Sequence, residues 1–538
     1  MNRPPQQLKQ PHPADVQALQ QLLQGGQLLQ AEARAKALLV QYPKALSVCN
    51  LLGLCQQAQG KNLEAVASFR QMLMLDPRIA EIHFNLGVIL AELGDTQEAM
   101  VSYRKALQCK PNFTVAYFNL GILLQAQGFL QEAAQQYHQA LVFEPNFFEA
   151  LGNLGTVLQQ GGRLAEAEQC YRNALALRPD ARGHFNLGTT LYDQGKYEEA
   201  ICAFREAIRL DALFADAWNS LGETMRDRGE IDEAVRCYKQ ALLVQPNHGR
   251  ASYNLGEFYC LVGRLPEAIP YFEATHFADA PARALQCYYK NQQFEVFKQR
   301  FDQIAALEPH LSVLMGALAA HYATNFRVEN KYNFCKQPMD YVLHTRIEEL
   351  SVPNSGLLAE LLRDIQQLAI AERKQGRLYY GMQSAGNLLM RSEPAIQKLA
   401  ALIRAKVRDY QQRFADSPCE LITDFPREIE FTSSWYLRMQ QGGYLTSHIH
   451  EEGWISGCVY LKLPAKNSAH EGSFAYSTDG DDYPRLHDDF PSQIVDLQLG
   501  DLVLFPSSLF HRTLPFHSDE ERVCVAFDVK PLPLRLNE

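Results

Sequence analysis

Several familiar patterns are missing from this 538-residue chain. It has no uninterrupted apolar run of membrane-spanning length, so no transmembrane segment is expected. The opening Met1-Asn-Arg-Pro-Pro-Gln-Gln lacks the apolar core of a secretion signal. There is no Cys-x-x-Cys pair. The 12 cysteines are scattered from Cys49 to Cys524, many at positions that want a small apolar side chain, such as Cys170, Cys202 and Cys237. That pattern argues against a zinc ribbon or a disulfide framework and for reduced thiols in a cytoplasmic protein. No long basic run offsets the net charge of −10, which argues against a nucleic-acid partner. Disorder is also excluded as the general state, because 47% of residues are apolar and only 21% charged. A soluble chain of two or more domains remains, with no membrane partner expected.

The first half of the chain is periodic. Pro43, Pro77, Pro111, Pro145 and Pro179 recur every 34 residues, and Pro246 returns later. Leu-Gly pairs keep the same register at Gly53, Gly87, Gly121, Gly155, Gly188, Gly222 and Gly256. A second glycine follows each, from Gly60 to Gly263, then a small residue such as Ala99 or Ala133, and then an aromatic such as Tyr103 or Tyr137. This is the chemistry of paired antiparallel helices. The small residue permits close approach, the aromatic fills the space between pairs, the second glycine turns the chain and the proline ends the second helix. The stretch resembles the tetratricopeptide repeat. An α-solenoid is therefore expected over residues 15–310, after a disordered 1–14, with residues 270–309 read as a decayed terminal repeat. Asparagine precedes the Leu-Gly pair at Asn85, Asn119, Asn153, Asn186 and Asn254, and the row is interrupted at Leu51 and Ser220. Amides spaced along a groove can bind an extended peptide backbone, although asparagine is also common at this repeat position. The asparagine ladder is similar to that in the repeat region of O-linked N-acetylglucosamine transferases. A protein or peptide partner is expected at this groove.

Residues 311–425 lose the period. Leu357–Ala371 and Glu393–Phe414 read as amphipathic helices flanking a β-domain, and the glycine-punctuated Gly381–Leu388 reads as a loop crossing its sheet. From 426 to 538 the period falls to two, with short apolar segments between Gly and Pro breaks, as in a small double-sheet jelly roll. The chemistry gathers here. His448 and His450 alternate on an expected strand. His511 ends the strand Leu502–Phe505 and its turn, and Arg522 lies one hairpin further on. Three imidazoles suit Fe(II), and an arginine can hold a carboxylate in a bidentate pair. His450, Glu452 and His511 form an alternative ligand set, because His450-Glu451-Glu452 is a His-x-Glu. His470, His487 and His517 lie in polar loops and read as ordinary surface residues.

The runs Trp435-Tyr-Leu-Arg438, His448-Ile-His450, Gly453-Trp-Ile-Ser456-Gly, Leu504-Phe-Pro506-Ser, His511-Arg-Thr513 and Arg522–Asp528 resemble a 2-oxoglutarate/Fe(II) oxygenase domain often fused to tetratricopeptide repeats. The resemblance implies a double-stranded β-helix, with Fe(II) and 2-oxoglutarate as metal and co-substrate. It also implies a dioxygenase or hydroxylase activity, with Arg522, Arg438 and Tyr436 on the co-substrate side. Two alternatives stay open: a cupin-like metalloprotein that uses the same ligands without 2-oxoglutarate, and a repeat scaffold with an inactive oxygenase-like domain.

Overall fold

The computed structural model describes residues 10–307, 309–353, 355–367, 372–373, 376–425 and 429–531. Parts of the expected segments therefore lie outside the described residues: 1–9 of the N-terminal stretch, Glu308 of the decayed repeat, 368–371 of the helix expected from Leu357, and both ends of the β-domain. The chain forms two compact units, one ending at Pro246 and one starting at Asn247.

The first unit is a helical solenoid. It starts at Pro13, so helix begins inside the stretch expected to be disordered. Helices of 13 and 14 residues then alternate, for example Thr114–Ala126 and Leu130–Phe143. The reason lies in two glycines per repeat. A Cβ on Gly121 would sit 2.6 Å from Cε1 of the buried Tyr137 ring, so only glycine lets the two helices close on that aromatic. Gly128 has φ +80°, the left-handed conformation that turns one helix into the next.

The second unit opens with further helix pairs, Gly249–Leu261 with Leu265–Glu273 and Ala280–Lys290 with Phe294–Ala305, followed by Val313–Phe326. The stretch read as a decayed repeat thus folds with the β-domain. Among the described residues ten strands follow: β1 (Leu343–Arg346), β2 (Glu372–Arg373), β3 (Leu378–Ser384), β4 (Ile429–His448), β5 (Ile455–Lys462), β6 (Phe474–Ser477), β7 (Ser492–Val495), β8 (Asp501–Pro506), β9 (Phe510–Thr513) and β10 (Arg522–Pro531). The sheet order is β1-β8-β5-β10-β4-β9-β6-β7, with β3 also paired to β4, and every pairing is antiparallel. The long β4 serves both ends of this path: its first half pairs with β10 and its last residues with β9. This is the jelly-roll arrangement expected from the period-two pattern.

Successive side chains divide two cores. Val523, Val525, Phe527 and Val529 of β10 face a cluster that includes Leu361 and Ile365 of helix Gly356–Gln367, and Ile396, Leu399 and Ile403 of helix Pro394–Arg413. Leu437, Tyr460, Phe474, Phe505, Cys524 and Ala526 face the interior of the roll. The segment read as a loop at Gly381–Leu388 is in part strand β3, and Ser384 Oγ accepts the Tyr436 backbone N–H at 3.0 Å.

Candidate metal centre and co-substrate pocket

The three histidines meet because of one strand pairing and one turn. In the β4–β9 ladder His448 is the direct partner of His511, so their rings lie 4.3 Å apart. His450 is not on the strand, as the alternation had implied, but two residues beyond its end. Its backbone N–H donates to the Ser507 carbonyl at 3.1 Å, which folds the turn back so that its ring lies 4.8 Å from that of His511. Gly453 permits the tuck, because a Cβ there would stand 2.6 Å from Ser507 Oγ. One nitrogen from each of the three rings lies within 4.8 Å of the other two, and Nε2 of His448 lies 3.1 Å from Nε2 of His450.

The other ring nitrogens fix the tautomers. His448 Nδ1 faces the Thr446 carbonyl at 2.8 Å, His511 Nδ1 the Leu509 carbonyl at 3.2 Å, and His450 Nδ1 the Asp528 carboxylate at 2.6 Å. These oxygens only accept, so each Nδ1 is a donor and each Nε2 is left for the shared space. Burial, then the neighbouring His450, pushes the His448 pKa down to about 3, and burial drives His511 well below its usual range. Both are therefore neutral at physiological pH. Nδ1 hydrogen bonds of this kind orient imidazoles for metal binding. The donor set fits a borderline transition metal such as Fe(II).

Arg522 belongs to the same cavity, whose walls include Trp435, Leu437, Phe474, Phe505 and Ala526. Its side chain is only 1% exposed. Nε donates to the Gly472 carbonyl at 3.2 Å, one terminal nitrogen approaches Cys524 Sγ at 3.4 Å, and the guanidinium stands over the Tyr460 ring, 5.0 Å from its centroid. Among the described residues no carboxylate pairs with it. A buried cation facing sulfur and ring density suits an incoming anion.

Comparison with family models agrees with this geometry. Residues 433–528 match the family described as "Putative 2OG-Fe(II) oxygenase". Tetratricopeptide-repeat models match residues 46–79, 80–113, 146–212 and 224–282. The chain is a tetratricopeptide-repeat protein with a C-terminal 2OG-Fe(II) oxygenase domain. Comparison with curated proteins gave no match. Among solved structures it is similar to YrrB, described as a TPR protein with an unusual peptide-binding site, at 24% identity over 35% of this chain and 96% of that one, TM-score 0.33. It is also similar to MamA, at 26% identity over 32% and 97%, TM-score 0.28. A third similar structure is PilF of Pseudomonas aeruginosa, at 22% identity over 39% and 97%, TM-score 0.34.

Other residues expected near the centre of the oxygenase domain lie elsewhere. Glu452 is exposed and outside the histidine cluster, while Glu451 is ion-paired to Arg283. Arg438 and Tyr436 alternate with the cavity-lining Trp435 and Leu437 and so leave β4 on its other face. There Arg438 Nε meets Glu521 at 2.8 Å, and Tyr436 is buried in the core against the flanking helices. Neither of these two residues, expected on the co-substrate side, lines the cavity that holds the histidines. Gln383 and Ser384 of β3 are buried but do not line the cavity. His470, His487 and His517 face Asp496, the Thr324 carbonyl and Glu471.

Sequence reading missed Asp528. It is 3% exposed, accepts Ser433 Oγ at 2.7 Å and Ser456 Oγ at 2.6 Å, and faces His450. Burial raises its pKa, but His450 and these hydroxyls outweigh that and hold it below the ordinary range. The available signal was parity: Arg522, Cys524, Ala526 and Asp528 share one face of β10.

In the repeats, Asn119 Nδ2 donates to Tyr103 OH at 3.4 Å and Asn153 Nδ2 to Tyr137 OH at 3.5 Å. Asn85, Asn119, Asn153 and Asn186 are half-buried, and Asn254, in the second unit, is 8% exposed.

Proposed function

We propose that the oxygenase domain is an Fe(II)- and 2-oxoglutarate-dependent hydroxylase, and that the repeats recruit its protein or peptide substrate or partner. The observation carrying this reading is that three imidazoles, each with Nδ1 facing an oxygen acceptor, converge in a cavity that also holds a buried arginine with no carboxylate partner among the described residues. His448, His450 and His511 would hold the iron, and Arg522 the far carboxylate of 2-oxoglutarate. Together the metal and co-substrate supply O2 activation and the oxidising power for hydroxylation. The chain's own part is to keep the imidazoles neutral and aimed, to neutralise the co-substrate's charge, and to exclude water with Trp435, Leu437, Phe474 and Phe505. Half-buried amides at Asn85, Asn119, Asn153 and Asn186 support peptide binding, although two of them already share their N–H groups with tyrosines. The 12 free cysteines support a reducing, cytoplasmic setting.

The all-imidazole cluster also favours a second reading, a cupin-like centre without 2-oxoglutarate. One experiment separates the two: anaerobic Fe(II) loading, titration with 2-oxoglutarate, and succinate release in air with candidate peptides. The hydroxylase reading expects one Fe(II) and one 2-oxoglutarate per chain, both lost or greatly weakened in His511→Ala. Iron binding without 2-oxoglutarate binding would establish the cupin reading instead.

A further inference from the structure

A transition-metal site made of imidazoles alone brings no negative charge to the ion, whereas the two-histidine, one-carboxylate site brings one. The nearest buried carboxylate here stands one hydrogen bond away. Asp528 ends the cavity-facing row of β10, opposite Ser433 of β4 and Ser456 of β5 in the two flanking ladders. Its Oδ1 faces His450 Nδ1 at 2.6 Å and accepts Ser456 Oγ at 2.6 Å, and its Oδ2 accepts Ser433 Oγ at 2.7 Å. Ser456 Oγ in turn contacts Ser507 Oγ at 2.8 Å, in the segment whose carbonyl holds the His450 backbone. The strand register therefore fixes this carboxylate, three hydroxyls and the His450 turn as one hydrogen-bonded assembly. His448 and His511 have no such support, since their Nδ1 partners are peptide carbonyls within two residues.

We propose that Asp528 is the positioning residue of the metal centre. It holds His450 protonated at Nδ1 with Nε2 turned inward, and it supplies from behind the imidazole the negative charge that the ligand set lacks. His450 is thereby the most electron-rich of the three ligands. This rests on the reading of the triad as a metal site, and the test keeps the two apart.

The full chain is titrated anaerobically with Fe(II), and with Co(II) as a spectroscopic probe, as parent, Asp528→Asn and Ser433→Ala. Asparagine keeps the shape but can present its N–H2 to Nδ1, which would turn the Nε2 proton into the site. Asp528→Asn is expected to bind Fe(II) and Co(II) about 10–100-fold more weakly, as second-layer changes do. The bound Fe(II) should also show a raised Fe(III)/Fe(II) potential, which a merely structural role would not produce. Ser433→Ala keeps the carboxylate on His450 and should stay within about threefold of the parent, on the same scale. A second measurement needs no variant. In Zn(II)-loaded parent protein carrying 15N-histidine, the His450 Nδ1–H should resonate well downfield of those of His448 and His511, because its acceptor is a carboxylate. Equal affinity and potential in Asp528→Asn, or a His450 protonated at Nε2, would overturn the proposal and leave the metal-site reading standing. A parent that binds neither Fe(II) nor Co(II) would overturn both.

Discussion

Replacing Arg522 with methionine should make the protein more stable and less able to bind the proposed co-substrate. Methionine has similar length and no charge. The parent side chain has almost no access to water, and its neighbours repay little of that loss: one carbonyl at 3.2 Å, a ring face at 5.0 Å and the sulfurs of Cys524 and Met439. Burying an ion costs several kcal/mol, against about 1.5–3 kcal/mol for a charged hydrogen bond and up to about 2 kcal/mol for a desolvated cation–π contact. Exchanging a buried ion pair for packed apolar side chains is neutral or stabilises by about 1–4 kcal/mol, and Arg522 lacks even a pair's attraction among the described residues. The same exchange removes the cation proposed to meet the distant carboxylate of 2-oxoglutarate, at a cost of about 2–5 kcal/mol, or roughly 30- to 5000-fold in Kd. Thermal unfolding of the metal-free protein and anaerobic 2-oxoglutarate titration of the Fe(II) protein read the two effects separately. An Arg522→Met variant that melts below the parent while binding 2-oxoglutarate equally well would make Arg522 a structural residue and refute the argument.

Three further outcomes follow from the geometry. In metal-free protein the unfolded histidines take up protons below about pH 6.5 while His448, held to about 3, and His511 do not. Stability is therefore full above that pH and is lost as pH falls, by about 1.4 kcal/mol per unit for each imidazole, a slope that chemical denaturation at pH 7.5 and 5.5 measures. Gly121→Ala should destabilise the solenoid by about 1–3 kcal/mol through overpacking on Tyr137, whereas Gly152→Ala, whose Cβ would meet nothing within 4 Å, should stabilise it by up to about 1 kcal/mol in the same thermal melts. Changing Asn119, Asn153 and Asn186 together to alanine should weaken a groove-bound peptide by about 1 kcal/mol per lost hydrogen bond while leaving helicity intact, and unchanged peptide binding would reduce these residues to ordinary repeat positions.

The repeats were legible because their physics is local. A glycine that admits Tyr137 and a glycine that reverses the chain lie within one helix pair, so each 34-residue block states its own fold. His511 and Arg522 were legible for a similar reason, each standing beside a short apolar strand. What could not be read depends on pairings distant in sequence. Asp528 matters only because β10 lies between Ser433 of β4 and Ser456 of β5. Arg438 and Tyr436 looked like neighbours of the site, but the pleat directs them away from it. Parity along β4 is itself broken: Leu437 and Leu445 face the cavity, and so does His448, because the ladder to β9 shifts register between Leu445 and His448. Counting in twos from Trp435 therefore gives the wrong face for His448.

The helices between residues 280 and 326 bear on how such a protein can be cut and recombined. Arg283 holds Glu451, the residue after His450. Gln286 reaches Tyr483 at 3.1 Å, and the buried His321 joins Tyr289 to Asp479. These contacts tie repeat-like helices to the loops beside the histidines. An expression fragment starting near residue 311, where periodicity fades, would strip the Glu451 and Tyr483 partners from the β-domain, and one starting at Asn247 would keep them. Upstream of that point, gain or loss of a 34-residue block leaves every one of these contacts in place, so the array can change length, and with it the partners it can span, without rebuilding the site.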